Sequence, residues 1–339
     1  MKRLAACVLA GLLLLLSAMP AAAGGAQPFQ KGHALGGWWR DDYAAPSLGA
    51  QLDALRDGGV EWVELTARWF QAERDSTGIE SDPERSPSDE SLRRAIRLSR
   101  ERGLRVLLKP QIDLAGSGWR GEIQLASQPA WAAWFASYRR FLLHYAELAR
   151  DSQVSLLCVG VELDGTRHRE ADWRALIRAV RAVYPGPLTY AANVHREEDI
   201  RFWDALDFAG VDEYTPLASR ENADDDELRA AAARERDRLR RWAASIGRPV
   251  LFTEIGFRSV SHAAVLPWEW ERHGPVDLAL QARLYRIAIE VYGSEPWLAG
   301  TYWWQWRSGP PPDAAADDSF TTQGKPAWDA VRVFYRSPR

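Results

Sequence analysis

Two apolar segments of this chain run straight into a glutamate: Leu156-Leu-Cys-Val-Gly-Val-Glu162 and Pro249-Val-Leu-Phe-Thr-Glu254. A carboxylate at the end of a buried segment costs desolvation energy unless it is paired or reactive, so two such placements ask for a common chemical reason. One reaction needs two carboxyl groups: cleavage of a glycoside with retention. One group protonates the leaving oxygen while the other attacks the anomeric carbon, at a separation of about 5 to 5.5 Å. Neither glutamate sits in an established short motif, and a single one would as readily be a buried ion-pair partner of Lys109 or Arg68. The pair together points to a retaining glycosidase.

The elements that must position such a pair alternate along the chain. Strands are expected at 33–39, 60–70, 104–109, 154–162, 188–193, 207–214, 249–255 and 298–304. Helices are expected at 48–57, 89–102, 129–150, 170–183, a short one at 197–204, then 226–246, 277–293 and 326–335. Gly58-Gly59, Gly103 and Gly247 stand just past helices, where a left-handed cap belongs. The acidic run Asp224 to Glu227 suits a helix start, favoured by the macrodipole. Eight strands alternating with helices, with no Ser/Pro/Gly linker between them, predict an α/β chain folded as a single (β/α)8 TIM barrel. Glu162 and Glu254 then end the fourth and seventh strands, which face each other across the barrel mouth. The long connections 71–88, 111–128, 257–276 and 305–325 all follow strands, on the side where barrel active sites are built.

Composition narrows the function further. Lys2 and Arg3, the apolar run Leu4 to Leu16, and Ala21-Ala22-Ala23 before Gly24 have the order of a secretory signal peptide. The expectation is an exported protein, secreted or periplasmic, cleaved near Ala23, with residues 24–339 as the catalytic barrel. Loss of Lys2 and Arg3 takes the formal charge from −3 to −5, and no basic patch remains to bind nucleic acid or an anionic membrane. Of the two cysteines, Cys7 would leave with the leader, so Cys158 has no partner for a disulfide. The six histidines show neither His-Glu-x-x-His spacing nor cysteine partners, so neither a metal nor another cofactor is expected. A monomer acting on a polysaccharide or oligosaccharide is the expected assembly.

The chain carries 17 tryptophans, more than half of which must fill the core. Others fall where strands should end and could stack on sugar rings: Trp38, Trp39, Trp69, Trp303, Trp304 and Trp306. Trp119 and Trp268, in the connections, are further candidates for substrate contact, as is Trp270. Lys109, one of three lysines after the leader, ends a strand instead of lying on a helix surface. It is a candidate hydrogen-bond donor to substrate, with pairing to Glu64 or Asp113 as the alternative.

Several stretches are more specific. Lys109-Pro110 with Gly118-Trp119-Arg120, Val159-Gly160-Val161-Glu162-Leu163, Gly210-Val211-Asp212-Glu213-Tyr214, Thr253-Glu254-Ile255-Gly256-Phe257-Arg258-Ser259, Pro267-Trp268 and Tyr302-Trp303-Trp304-Gln305-Trp306 resemble glycoside hydrolase family 113, within clan A. The resemblance spans nearly all of residues 32 to 335. It implies β-mannanase activity on β-1,4-linked mannans, with Glu162 as acid/base and Glu254 as nucleophile. It also implies that Tyr214 hydrogen-bonds the nucleophile and that Trp304 is the platform under the sugar being cleaved. Trp303 or Trp306 takes that place if the register is shifted by one or two residues. Many clan A enzymes have Asn before the acid/base, where it reads the sugar 2-hydroxyl; here the residue is Val161. Asn193, ending the fifth strand, is a candidate substitute, or else caps the turn that follows. The rival readings keep the fold and act on xylan, a β-glucan or an exopolysaccharide, or bind glycans without cleaving them.

Overall fold

The computed structural model describes residues 28–338, so the expected leader at 1–23 lies outside the described residues. Eight parallel strands form the core: β1 Gln30–Leu35, β2 Trp62–Gln71, β3 Arg105–Leu114, β4 Leu156–Val161, β5 Leu188–Asn193, β6 Ala209–Glu213, β7 Val250–Ile255 and β8 Leu298–Trp306. Each pairs with its sequence neighbours, and β1 pairs with both β2 and β8, which closes the ring. Helices α1 Leu48–Asp57, α2 Asp89–Glu101, α3 Gln128–Asp151, α4 Glu170–Arg181, α5 Asp225–Ile246, α6 Leu278–Tyr292 and α7 Pro326–Arg336 cover the outside. This is a (β/α)8 barrel, as the alternation predicts.

Local signals explain most of the boundaries. Asp224 caps α5, its side chain accepting from the Glu227 amide, a contact worth about 1 kcal/mol. Gly247, at φ 61°, stops the same helix in the left-handed conformation. Departures have physical causes too. The first strand lies earlier than 33–39, because Gly36 and Gly37 leave the sheet; a Cβ at Gly37 would come within 2.5 Å of the Tyr43 ring. The third strand does not stop at 109 but continues through Pro110 to Leu114. Its last position paired with β4 is Leu108, so beyond it a residue lacking an N–H is tolerated on a free edge. The expected helix at 197–204 is two 3-10 turns, Glu197–Asp199 and Trp203–Ala205, tied by the Trp203 indole donating to the Glu197 carbonyl. A two-residue strand, Ile79–Glu80, folds back on the end of β2.

Side chains alternate along each strand, and this sorts the interior into layers. Trp62, Leu107, Leu156, Cys158, Val161, Ala191, Leu251 and Tyr302 form an apolar floor. Two residues further along their strands come Glu64 and Lys109, level with Asp212 and Glu254. Above them Ala34, Tyr214, Trp304 and Phe320 form a small cluster at the mouth. The large apolar layer between strands and helices holds the fold together.

Candidate active site

Glu162 follows the last residue of β4 and has φ 52°, a left-handed conformation that costs a non-glycine residue about 1 to 2 kcal/mol. The backbone around it is pinned: the Glu162 amide donates to the Ala191 carbonyl at 2.8 Å, and the Tyr190 hydroxyl accepts from the Leu163 amide. Strain of this kind collects where a side chain must be aimed. The carboxylate is met by the loop after β3. Arg120 donates to its Oε2 at 2.7 Å and the Trp119 indole at 3.2 Å. Gly165 makes this approach possible, since a Cβ there would lie 1.9 Å from the Ile123 carbonyl oxygen. Arg120 is itself held by Asp113 at 2.6 Å, and Asp113 by Arg68 at 3.3 Å. Burial raises the Glu162 pKa; the Arg120 charge opposes this and the Glu254 charge adds to it.

Glu254 lies on β7 next to a bulge: Phe252 pairs with Val211 but Glu254 with Asp212, so Thr253 is the extra residue. Its Oε2 accepts from the Tyr214 hydroxyl at 2.8 Å and its Oε1 from the Lys109 ammonium at 2.5 Å. Lys109 also lies 3.4 Å from Asp212 and 3.5 Å from Glu64. Trp304 sits above, its ring centroid 5.9 Å from the ammonium and packed edge-on against Trp38. Among the described residues, no group of three or more His, Cys, Asp or Glu side chains is arranged to hold a metal ion.

The structure thus brings Glu162, Glu254, Tyr214, Trp119 and Trp304 to one end of the barrel, and moves three other candidates away from a sugar. Trp69 alternates with inward-facing Arg68 and packs outside the ring against Phe141, His144 and Tyr145 of α3. Trp306 does not share the face of Trp304, because the pairing of β1 with β8 slips between His33–Trp303 and Leu35–Trp306. It lies against His33 and Trp328 and donates to Gln51 of α1. Lys109 is fully buried and faces Glu254, Asp212 and Glu64; Asp113, its other expected partner, holds Arg120 instead. Asn193 ends β5 with its side chain on Asp164. Trp268 is half exposed in the connection after β7, whose backbone is braced by the buried Arg258 donating to the Glu269 and Arg272 carbonyls.

Sequence reasoning did not single out Arg120 or Asp212 as site residues. Asp212 had a detectable signal, since it lies two positions before Tyr214 and so shares its inward face. Arg120 had only its place in a strand-end connection and in the Gly118-Trp119-Arg120 stretch; neither assigned it a role, because its contact with Glu162 depends on how two loops meet.

The model of Glycoside Hydrolase Family 113 matches residues 34–325. Among solved structures, a family 113 β-1,4-mannanase determined as a complex is 28% identical, with 92% of this chain and 100% of that one covered and a TM-score of 0.84. The family 113 β-mannanase AaManA from Alicyclobacillus acidocaldarius, in complex with ManMIm, is 30% identical, with 91% and 97% covered and a TM-score of 0.84. A β-glucuronidase from Faecalibacterium prausnitzii, 16% identical with a TM-score of 0.60 over 91% of this chain and 49% of its own, shares the fold alone. No curated protein matches by sequence. The barrel, the two carboxyl groups at its mouth and the family match over most of the chain lead to one conclusion: this protein is a glycoside hydrolase and belongs to glycoside hydrolase family 113.

Proposed function

We propose that the enzyme is an exported, retaining endo-β-mannanase whose catalytic domain is residues 24–339. The observation that carries the chemistry is the contrast between its two glutamates. Glu254 touches an ammonium and a phenol, both donors to a carboxylate. Glu162 also meets donors, Arg120 and the Trp119 indole, yet burial and the Glu254 charge raise its carboxyl against the Arg120 charge and so favour its protonated form. Pairs of carboxyl groups in opposed environments mark nucleophile and acid. Glu254 bonds to the anomeric carbon as the glycosidic bond breaks; the bonding electrons go to the leaving oxygen, which takes the proton of Glu162. Water, deprotonated by Glu162, then releases the sugar with its original anomeric configuration.

Mannan as the substrate rests on the likeness to the two mannanases. A second reading, another β-1,4-glycan, is favoured by Val161, which is buried in the apolar floor and leaves the sugar 2-hydroxyl without the partner expected there. Hydrolysis of mannan, glucomannan, xylan and mixed β-glucan, followed by reducing-end release, separates the two. Proton NMR of the first product should show the β-anomer; the α-anomer appearing first would end the retaining assignment. Export rests on the N-terminal pattern, and sequencing the N-terminus of the protein recovered outside the cytoplasm should begin near Gly24.

Trp304 is the proposed platform under the sugar at the scissile bond. Trp304→Ala is expected to lower kcat/KM far beyond any change in melting temperature. Trp306→Ala should instead destabilise the fold by about 3 to 5 kcal/mol while its folded fraction turns over normally. Calorimetry and kinetics on one substrate compare them; the reverse pattern would move the platform to Trp306.

A further inference from the structure

A two-carboxylate reaction does not require the buried ionic cluster beside Glu254. Lys109 is completely buried, and its three N–H donors face three carboxyl groups: Glu254 Oε1 at 2.5 Å, Asp212 Oδ1 at 3.4 Å and Glu64 Oε1 at 3.5 Å. Asp212 is anchored in turn by the Thr253 hydroxyl at 2.7 Å. No sugar can reach the ammonium, because Glu254 and Trp304 lie over it.

We propose that Lys109 is the positioning residue of the nucleophile, held by Asp212 and Glu64 so that it anchors Glu254 Oε1 and leaves Oε2, beside Tyr214, as the attacking oxygen. This rests on the retaining reading above. The cluster suits both states of the reaction. Before attack, when Glu162 carries its proton, the ammonium pairs with the Glu254 charge and opposes the repulsion between it and Asp212. Burial raises the Asp212 carboxyl, Lys109 opposes this and the Glu254 charge adds to it; once Glu254 is an ester that charge is gone, which favours ionised Asp212 as the partner of Lys109, so no lone buried cation is created. Glu64 need not be charged for this: burial, against Lys109 and with Glu254, pushes its carboxyl up to about 8.

The groups facing Glu254 are Lys109 from β3, Asp212 from β6 with Tyr214 just past its end, Glu162 after β4, Glu64 from β2 and the Arg120 charge from the loop after β3. Of these, Lys109 is the positive charge in direct contact with the nucleophile. Its loss therefore favours protonated Glu254. Loss of Asp212 frees more of the ammonium's charge for Glu254 and acts in the opposite sense.

The test is the rate at which 2-deoxy-2-fluoro-β-mannotriosyl fluoride labels Glu254, followed by intact mass and peptide mapping across pH, with melting temperatures alongside. Lys109→Gln should label about 100-fold more slowly or worse. Its acid limb should move up by about one pH unit or more, and Lys109→Arg should recover part of both. Asp212→Asn should move the acid limb down. A folded Lys109→Gln enzyme with the wild-type rate and limb would overturn the proposal; if that variant does not fold, Lys109→Arg and Asp212→Asn shifting the limb in the same direction would overturn it. Wild-type protein labelled at a residue other than Glu254 would instead remove the nucleophile assignment on which the proposal rests, and wild-type protein that turns over its substrate but is never labelled would remove the retaining reading itself.

Discussion

Glu254→Ala is expected to lower kcat by about four orders of magnitude, roughly 5 kcal/mol of transition-state stabilisation. The loss follows from the geometry of the strand end. Glu254 is one of the two glutamates that end strands at the mouth, and Lys109 and Tyr214 each spend a donor on it. No neighbouring side chain can replace it. Asp212 and Glu64 are level with it but fully buried and engaged with Lys109. Azide fits the space left by the carboxylate and should restore turnover, giving a glycosyl azide of inverted anomeric configuration because it attacks from the face that Glu254 occupied. The variant also leaves Lys109 without its nearest partner, so the measurement must be made on protein shown to be folded. A folded Glu254→Ala enzyme with more than about a hundredth of wild-type activity would remove the nucleophile assignment.

Glu162→Gln is expected to cost about 10² to 10⁴ in kcat/KM on a polysaccharide and far less on an aryl glycoside whose leaving group needs no proton. Its effect on the pH profile has a definite sign. Burial, and secondarily the Glu254 charge, raise the Glu162 pKa, while Arg120 restrains the rise. The protonated form is the reactive one, so wild-type activity falls as pH climbs through that raised value. Glu162→Gln cannot lose a proton and should show no such alkaline limb. Arg120→Gln removes the restraining charge and should move the limb to higher pH, with a loss of rate because the carboxyl is less firmly held. An alkaline limb that persists unchanged in Glu162→Gln would assign the acid role to another group.

Some features of the site could be read before any coordinates because they depend on local pattern alone. The alternation of apolar runs with glycine-terminated helices implied eight strands, and a (β/α)8 ring is the way such a chain buries both faces of a parallel sheet. Once the ring is accepted, strand ends converge, which is why Glu162, Glu254 and Tyr214 could be named together. Trp69 shows where this reasoning stops. A tryptophan near a strand end faces the mouth or the helices according to a parity of two, and a boundary uncertain by one residue reverses it. Trp306 shows a second limit: counting by two from Trp304 gives the wrong face, because a slip in the β1–β8 pairing intervenes.

The sequence by itself determined what is written in short-range periodicity: the strand and helix order, the helix stops at Gly103 and Gly247, and the two glutamates that end apolar strands. Tertiary structure decided what depends on partners distant in the chain. Lys109 meets Glu254 across 145 positions, and Arg120 meets Glu162 through two loops that touch only because Gly165 has no side chain. A buried charge must find a counter-charge wherever the closed ring places one, and the register and bulges of eight strands together set that place. Local pattern reports which segments are strands and which residues end them; register and closure of the barrel decide which side chains face inward and which of them meet.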